Sequence, residues 1–269
     1  MGKLWRGCFG LTYLRSRSEM CRLRRCCSPR CAMTIGWDGP TAVVFRVPRL
    51  LPWLFVSAAM FAAPGDGLAQ APDLSGNWIR GGRLEFGEWS LTAEGRRGLE
   101  AYDFKTDDPA YRCLAASWAR AWMNPNVVVR ITQSAKEVRF QHEFMDIDRR
   151  LPIVEASQAN PPRMRIQGQP ALGSSTAWYD GDALVIETTD VGPGYVSTMQ
   201  EWAGLPQSRR MRTVERLRRS GDLLTIELTH DDPAYYRKPL VVTVEYKKTD
   251  FELMKYDCSP EEASIVAPR

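Results

Sequence analysis

The feature that most constrains this chain is a series of short runs of alternating apolar and polar residues, paired across polar turns. Residues 176–179 and 183–188 flank Asp180-Gly181-Asp182, and residues 212–219 and 223–230 flank Ser220-Gly221-Asp222. Glycine inside so short a connection accepts the positive φ of a tight hairpin turn, so each pair is predicted to be two antiparallel strands. Residues 127–132 and 137–144 flank Gln133-Ser134-Ala135-Lys136, and residues 240–247 and 252–258 complete the set. Eight or more strands joined in this way make an all-β antiparallel meander. Its unpaired edges must be hidden, and closing the sheet into a barrel is the commonest solution. A single helix is predicted, capped by Thr92 and running from Ala93 to about Tyr102, with Glu94 near its N-terminus and Gly95 and Gly98 weakening it. Its place between the first strand and the main meander suggests a lid or plug. Residues 156–170 read as a long irregular loop, of the kind that is usually functional or mobile.

Charge and cysteine divide the chain. With 44% hydrophobic and 25% charged residues the composition is that of a globular protein. Ten of the 36 Lys/Arg and three of the 32 Asp/Glu precede Gln70, leaving 26 basic against 29 acidic residues, a net charge of −3 from there on. The overall positive charge is therefore not a nucleic-acid signal of the main domain. Arg46 and Arg49 precede an apolar run at residues 50–63, followed by Pro-Gly-Asp-Gly-Leu-Ala-Gln-Ala. This is the layout of a secretory signal peptide over residues 33–69, with cleavage after Ala69. The run contains Pro52 and is short of the roughly 20 residues a spanning helix needs, so no membrane span is expected. Residues 1–32 read as a mis-called N-terminal extension ahead of Met33. A metal site on Cys21, Cys26, Cys27 and Cys31 is the competing reading, but paired C-x-x-C spacing is missing. The expected location is periplasmic or secreted, and residues 70–269 form one domain without linker or repeat. There Cys113 and Cys258 are the only thiols, and an oxidising compartment favours a disulfide between them. It would close a loop of about 145 residues, for which chain entropy predicts on the order of 5 kcal/mol. Two buried free thiols are the alternative.

Several blocks occur in one order over residues 73–258: Asp73-Leu74-Ser75-Gly76-Asn77-Trp78, Leu91-Thr92-Ala93-Glu94-Gly95-Arg96, Asp107-Asp108-Pro109 to Cys113, and Glu143-Phe144-Met145-Asp146 with Arg149. They continue through Trp178 to Thr189, Val214-Glu215-Arg216, Asp231-Asp232-Pro233, Tyr236, Pro239 and Cys258. On these blocks the chain resembles a broad family of secreted, mostly uncharacterised bacterial proteins, a resemblance that implies no particular reaction. Where members often carry histidines, this chain has Ser174 and Pro152. Gly76-Asn77-Trp78 is also similar to the G-x-W start of lipocalins, whose Trp closes one end of the barrel. Together with export, the hairpins and about 200 residues, this makes a lipocalin-like β-barrel the expected fold. Barrels of this size can hold one small apolar ligand.

For chemistry, two histidines leave no His-rich metal site, and no metal is expected. His142 shares a strand face with Val138, Phe140 and Phe144, and reads either as a ligand contact or as a buried, hydrogen-bonded core residue. His230 lies on the face of Leu224, Ile226 and Leu228 at a strand end, before the turn at Asp231-Asp232-Pro233. Glu143, Asp146 and Arg149 form the candidate catalytic set. Pointing inward, they could polarise a carbonyl or act as general acid and base; pointing outward, they make a surface ion-pair network worth little. Glu215 and Arg216 are read with the same two outcomes. Trp178, with Trp78, Trp89, Trp118, Trp122 and Trp202, could line a pocket or be plain core. A nucleophile elbow, a P-loop and a dinucleotide fingerprint are all missing, so an α/β-hydrolase and nucleotide-dependent chemistry are not supported and no cofactor is expected; the acidic balance after residue 69 leaves no nucleic-acid partner expected either. The first expectation is a binder of a small hydrophobic or aromatic molecule. The second is a cofactor-free isomerase, lyase or hydratase on the same barrel, and the third a structural envelope protein.

Overall fold

The computed structural model describes residues 71–266. The expected extension (1–32) and leader (33–69) lie outside the described residues. Ten strands form one antiparallel sheet in the order β4-β3-β2-β1-β12-β11-β10-β7-β6-β5. In chain order these are β1 (Gly76–Phe86), β2 (Val128–Gln133), β3 (Glu137–His142), β4 (Ile147–Pro152), β5 (Met164–Arg165), β6 (Ser174–Asp180) and β7 (Ala183–Thr189). After a two-stranded sheet of β8 (Gly194–Ser197) and β9 (Leu205–Gln207), β10 (Arg212–Ser220), β11 (Leu223–Asp231) and β12 (Leu240–Thr249) complete the large sheet. The sheet curls until its edges meet: Ile153, just past β4, bridges Ala177 of β6 in parallel, and the Val154 amide donates to the Ala177 carbonyl at 2.9 Å. The result is the nearly closed, lipocalin-like barrel that the hairpin pattern predicts.

The two hairpins with central glycines behave as their sequences require. Asp180 pairs with Ala183 and Ser220 with Leu223, leaving two-residue turns in which Gly181 and Gly221 both take φ +60°. Alternation then sorts the side chains. Val138, Phe140 and His142 on β3, Leu224, Ile226, Leu228 and His230 on β11, and Leu240, Val242, Val244 and Tyr246 on β12 are all buried. Trp78 is fully buried near the end where β1 begins, and its indole N–H donates to the Leu74 carbonyl at 2.9 Å. Arg219 lies over its ring and donates to the Asp73 carbonyl, while Gln133 receives the Leu74 amide and donates to the Pro72 carbonyl. The segment before β1 thus closes this end of the barrel.

Helices cluster at the other end, in the insertion between β1 and β2. Helix α1 (Ala93–Glu100) starts where predicted, with the Thr92 hydroxyl accepting the Gly95 amide at 3.0 Å. Gly95 is explained by packing, since a Cβ there would stand 2.2 Å from the Tyr235 carbonyl oxygen. The plug expected of α1 is supplied instead by a helix that local pattern did not signal. After the short α2 (Phe104–Asp107), α3 (Trp118–Met123), capped by Ser117, sends Trp122 into the barrel, where its carbonyl accepts the Tyr246 hydroxyl at 2.6 Å.

The strand expected at 252–258 does not form. This segment is a strap whose amides bond to side chains rather than to a neighbouring strand: Met254 donates to Glu143, and Tyr256 and Asp257 donate to Asp146, at 2.7 to 3.0 Å. The strap ends at the Cys113–Cys258 disulfide, followed by α4 (Pro260–Val266).

Candidate functional site

Two places concentrate polar groups: the inside of the barrel, and a cleft beside its helix-covered end. Inside, Arg149 and Glu215 are both essentially fully buried, and Arg149 Nη1 donates to Glu215 Oε1 at 2.8 Å. Arg149 Nη2 donates to Ser175 Oγ at 2.7 Å and Thr188 Oγ1 at 3.0 Å, and the guanidinium lies 3.6 Å from the centre of the Trp118 ring. The second carboxylate oxygen of Glu215 accepts the Trp122 indole N–H at 2.7 Å. Burial pulls the Arg149 pKa down and the Glu215 carboxylate pulls it back up. Arginine retains its charge under such opposing shifts, so the pair is a true ion pair. Arg149 leaves β4 at one sheet edge and reaches β6, β7 and β10, so it spans the seam where the barrel closes. His142 packs edge-on against Trp122 at 4.7 Å, and neither of its ring nitrogens has a hydrogen-bond partner among the described residues. Burial, with Arg149 nearby, depresses its pKa to about 3, so the ring is neutral at physiological pH. His230 is likewise driven to about 3 by burial, with Nδ1 2.9 Å from the Thr213 hydroxyl.

The candidate catalytic set is therefore taken apart by the fold. Glu143 accepts the Val128 and Met254 amides, and Asp146 accepts the Tyr256 and Asp257 amides, so both carboxylates anchor the C-terminal strap. Only Arg149 points into the barrel. Among the other candidates, Glu215 is inside, Arg216 is on the outer face bonded to Asp180 at 2.6 Å, and the half-buried Trp178 lies on the opposite face of β6 from Ser175 and Ala177. The barrel centre, where a ligand was expected, holds the fully buried side chains of Trp122, Phe140 and Tyr246.

Open space lies elsewhere. A cleft of about 660 Å³ is formed by three segments far apart in sequence, around α2 and the 3-10 turn Pro109–Arg112, around Pro170, and over residues 190–195, together with Arg165 and Arg209. Its walls are tied together. The Gln169 side chain accepts the Ala115 amide and donates to the Cys113 carbonyl, and Gln207 donates to the carbonyls of Ala171 and Gly192. Asp107 accepts from the Tyr195 hydroxyl at 3.1 Å, from the Asp103 amide and from Thr106. These bonds, the Asp103 amide foremost, hold the Asp107 pKa below the usual carboxylate range, while burial and then Asp107 push the Tyr195 phenol up to about 12. A second, smaller cavity of about 130 Å³ opens over Arg149, Trp118 and Ser175 at the seam.

No protein-family profile matches the chain, and no curated protein matches it by sequence. Among solved structures it is similar to a secretary abundant heat soluble (SAHS) protein from Ramazzottius varieornatus, at 11% identity over 67% of this chain and 98% of that one, with a TM-score of 0.36. It is also similar to fatty-acid-binding protein 1 from Echinococcus granulosus, at 12% identity over 65% of this chain and 97% of that one, TM-score 0.35. Zebrafish ileal bile acid-binding protein shows 11% identity over 65% and 98% of the two chains, TM-score 0.34. The barrel described above rests on its own strand pairing.

None of His142, Glu143, Asp146, Arg149, Trp178, Glu215 or Arg216 lines the larger cleft. Its charged residues lie in short elements or between elements, Asp107 ending α2, Arg112 ending the 3-10 turn, Arg165 ending the two-residue β5, and Asp190 and Arg209 in connections, and none of these carries a periodic signal. Two sequence hints point toward them: the segment 156–170, read as an irregular loop and found to contain the short β5, includes Arg165 and Pro170, and the block from Asp107 to Cys113 forms one wall.

Proposed function

We propose that this chain is an exported protein, periplasmic or secreted, that binds a small hydrophobic or aromatic molecule without turning it over, and that it belongs with the secreted family it resembles. The observation that carries the binding reading is the cleft of about 660 Å³ with walls cross-linked by Gln169 and Gln207. A pocket of this size suits a small organic ligand, and one already braced loses little entropy on binding. Export is supported by the leader-like run at 50–63, and the Cys113–Cys258 disulfide suits an oxidising compartment.

The test is mass spectrometry of the protein produced with its leader in a bacterial host. Native spectra should show a co-purifying small molecule, and the denatured chain should begin at Gln70. Gly194 lines the cleft, and a Cβ built there meets nothing within 4 Å, so Gly194→Trp can enter the space. Loss of the bound mass in that variant supports the cleft as the site; an unchanged bound mass rules it out. A mass retaining residues 1–69 rules out export by this leader.

A further inference from the structure

We infer that the cleft selects ligands carrying an anionic group, in the simplest case an aromatic carboxylate, with Arg112, Arg165 and Arg209 reading the charge. The inference rests on the cleft being the binding site and adds the chemistry of what it takes.

The charge balance of the lining carries it. Three guanidinium groups face two carboxylates around this space. Asp107 is already occupied, holding the Tyr195 hydroxyl, the Thr106 hydroxyl and the Asp103 amide. Asp190 is exposed at the edge, and its backbone carbonyl rather than its carboxylate takes the Arg165 Nη2 at 3.2 Å. Arg112 and Arg209 are exposed and make no side-chain hydrogen bond among the described residues, and the Arg112 charge helps to hold the Asp107 carboxyl low. Several other arginines of the barrel are paired, Arg139 with Asp148, Arg163 and Arg212 with Glu187, and Arg216 with Asp180. The lining thus carries three guanidinium groups against two carboxylates, one of which, Asp107, already holds three donors.

A guanidinium is a planar fork of donors that matches a carboxylate geometrically, and its charge attracts anions over the last few ångströms of approach. Behind the arginines the lining is apolar, with Pro109, Leu114, Pro170, Val191 and Pro193. An apolar body with one anionic end fits this division, the body displacing water from the prolines and the anion remaining at the wet rim. Because the arginines sit at the rim, the attraction is screened by salt.

The test is calorimetric titration of the purified disulfide-bonded protein with matched pairs of probes: benzoate against benzamide, and naphthoate against naphthamide. The expected result is that the carboxylate binds about tenfold tighter than its amide. That margin should shrink at high salt and collapse in Arg112→Gln and Arg209→Gln, which remove no internal hydrogen bond. Gly194→Trp should weaken both members of each pair. Equal binding of acid and amide, still lost in Gly194→Trp, overturns the charge selection and leaves the cleft as the binding site. Binding indifferent to Gly194→Trp, or no binding by any probe, overturns the cleft and the charge selection together.

Discussion

Arg149 and Glu215 meet at 2.8 Å inside the barrel although their strands, β4 and β10, are not neighbours in the sheet. A single arginine thereby joins one sheet edge to the strands beyond the other. Removing one partner leaves the other charge buried and unpaired, which typically costs about 3–5 kcal/mol. Glu215→Leu alone should therefore destabilise by about that amount, and the double variant Arg149→Met, Glu215→Leu by less than the sum of the single changes. Equilibrium unfolding in urea on all four proteins measures the coupling, and strict additivity would show that the two charges act independently.

The two histidines make stability depend on pH. Both are held neutral by burial, with pKa values depressed from 6.5 to about 3. The unfolded chain takes up protons below pH 6.5 while the folded one does not. Stability is therefore complete above 6.5 and falls as pH drops from there toward 3, at up to about 1.4 kcal/mol per unit for each histidine. The depressed carboxylates, such as Glu187, act at lower pH, below their ordinary value of 4.5. Between pH 6 and 5 the slope should thus be mainly histidine, and His142→Leu should remove about half of it. An unchanged slope in that variant would contradict a neutral His142 core.

Trp122 fills the barrel centre and ties Glu215 to it. Trp122→Ala should cost about 3–5 kcal/mol and open an apolar cavity. Trp122→Phe, which keeps much of the volume but loses the indole donor to a buried carboxylate, should cost about 1–3 kcal/mol. Fluorescence of an environment-sensitive apolar dye distinguishes them: the alanine variant should take up dye and the phenylalanine variant should not.

The C-terminal strap is fastened by Glu143, Asp146 and the disulfide. Cys258→Ser should lower stability by up to about 5 kcal/mol, the chain-entropy value for so long a loop. Limited proteolysis followed by intact mass should then find its first cuts within residues 250–258. If those residues stay protected, the carboxylates alone are sufficient to hold the strap.

Much of this was legible in local sequence. Hairpin turns at Gly181 and Gly221, the Thr92 cap and the inward face of Val138, Phe140 and His142 follow from interactions within a few residues, so their patterns are written along the chain. The direction of Arg149 was also available, since it has the same parity on β4 as the buried Ile147 and Leu151. Grouping it with Glu143 and Asp146 by nearness in sequence hid that signal, because those two lie in the turn before β4. Helix α3 was not legible: six residues carry too little periodicity to register, and Trp118 and Trp122 become a plug only once the barrel surrounds them. The strap at 252–258 read as a strand because its composition alternates, but its amides face carboxylates instead of a neighbouring backbone.

The sequence by itself determined the all-β class, the order of the hairpins and the choice of Cys113 and Cys258, because a period of two, a turn glycine and a single pair of thiols within residues 70–269 are properties of short stretches or simple counts. Only the tertiary structure decided what lies inside the barrel and where space remains outside it. Arg149 finds Glu215 only after the edges of the sheet meet, and Arg112, Arg165 and Arg209 share a cleft only because segments far apart in sequence pack beside one another. Side chains so far apart in sequence have no common local pattern, and their convergence depends on the closure of the whole sheet.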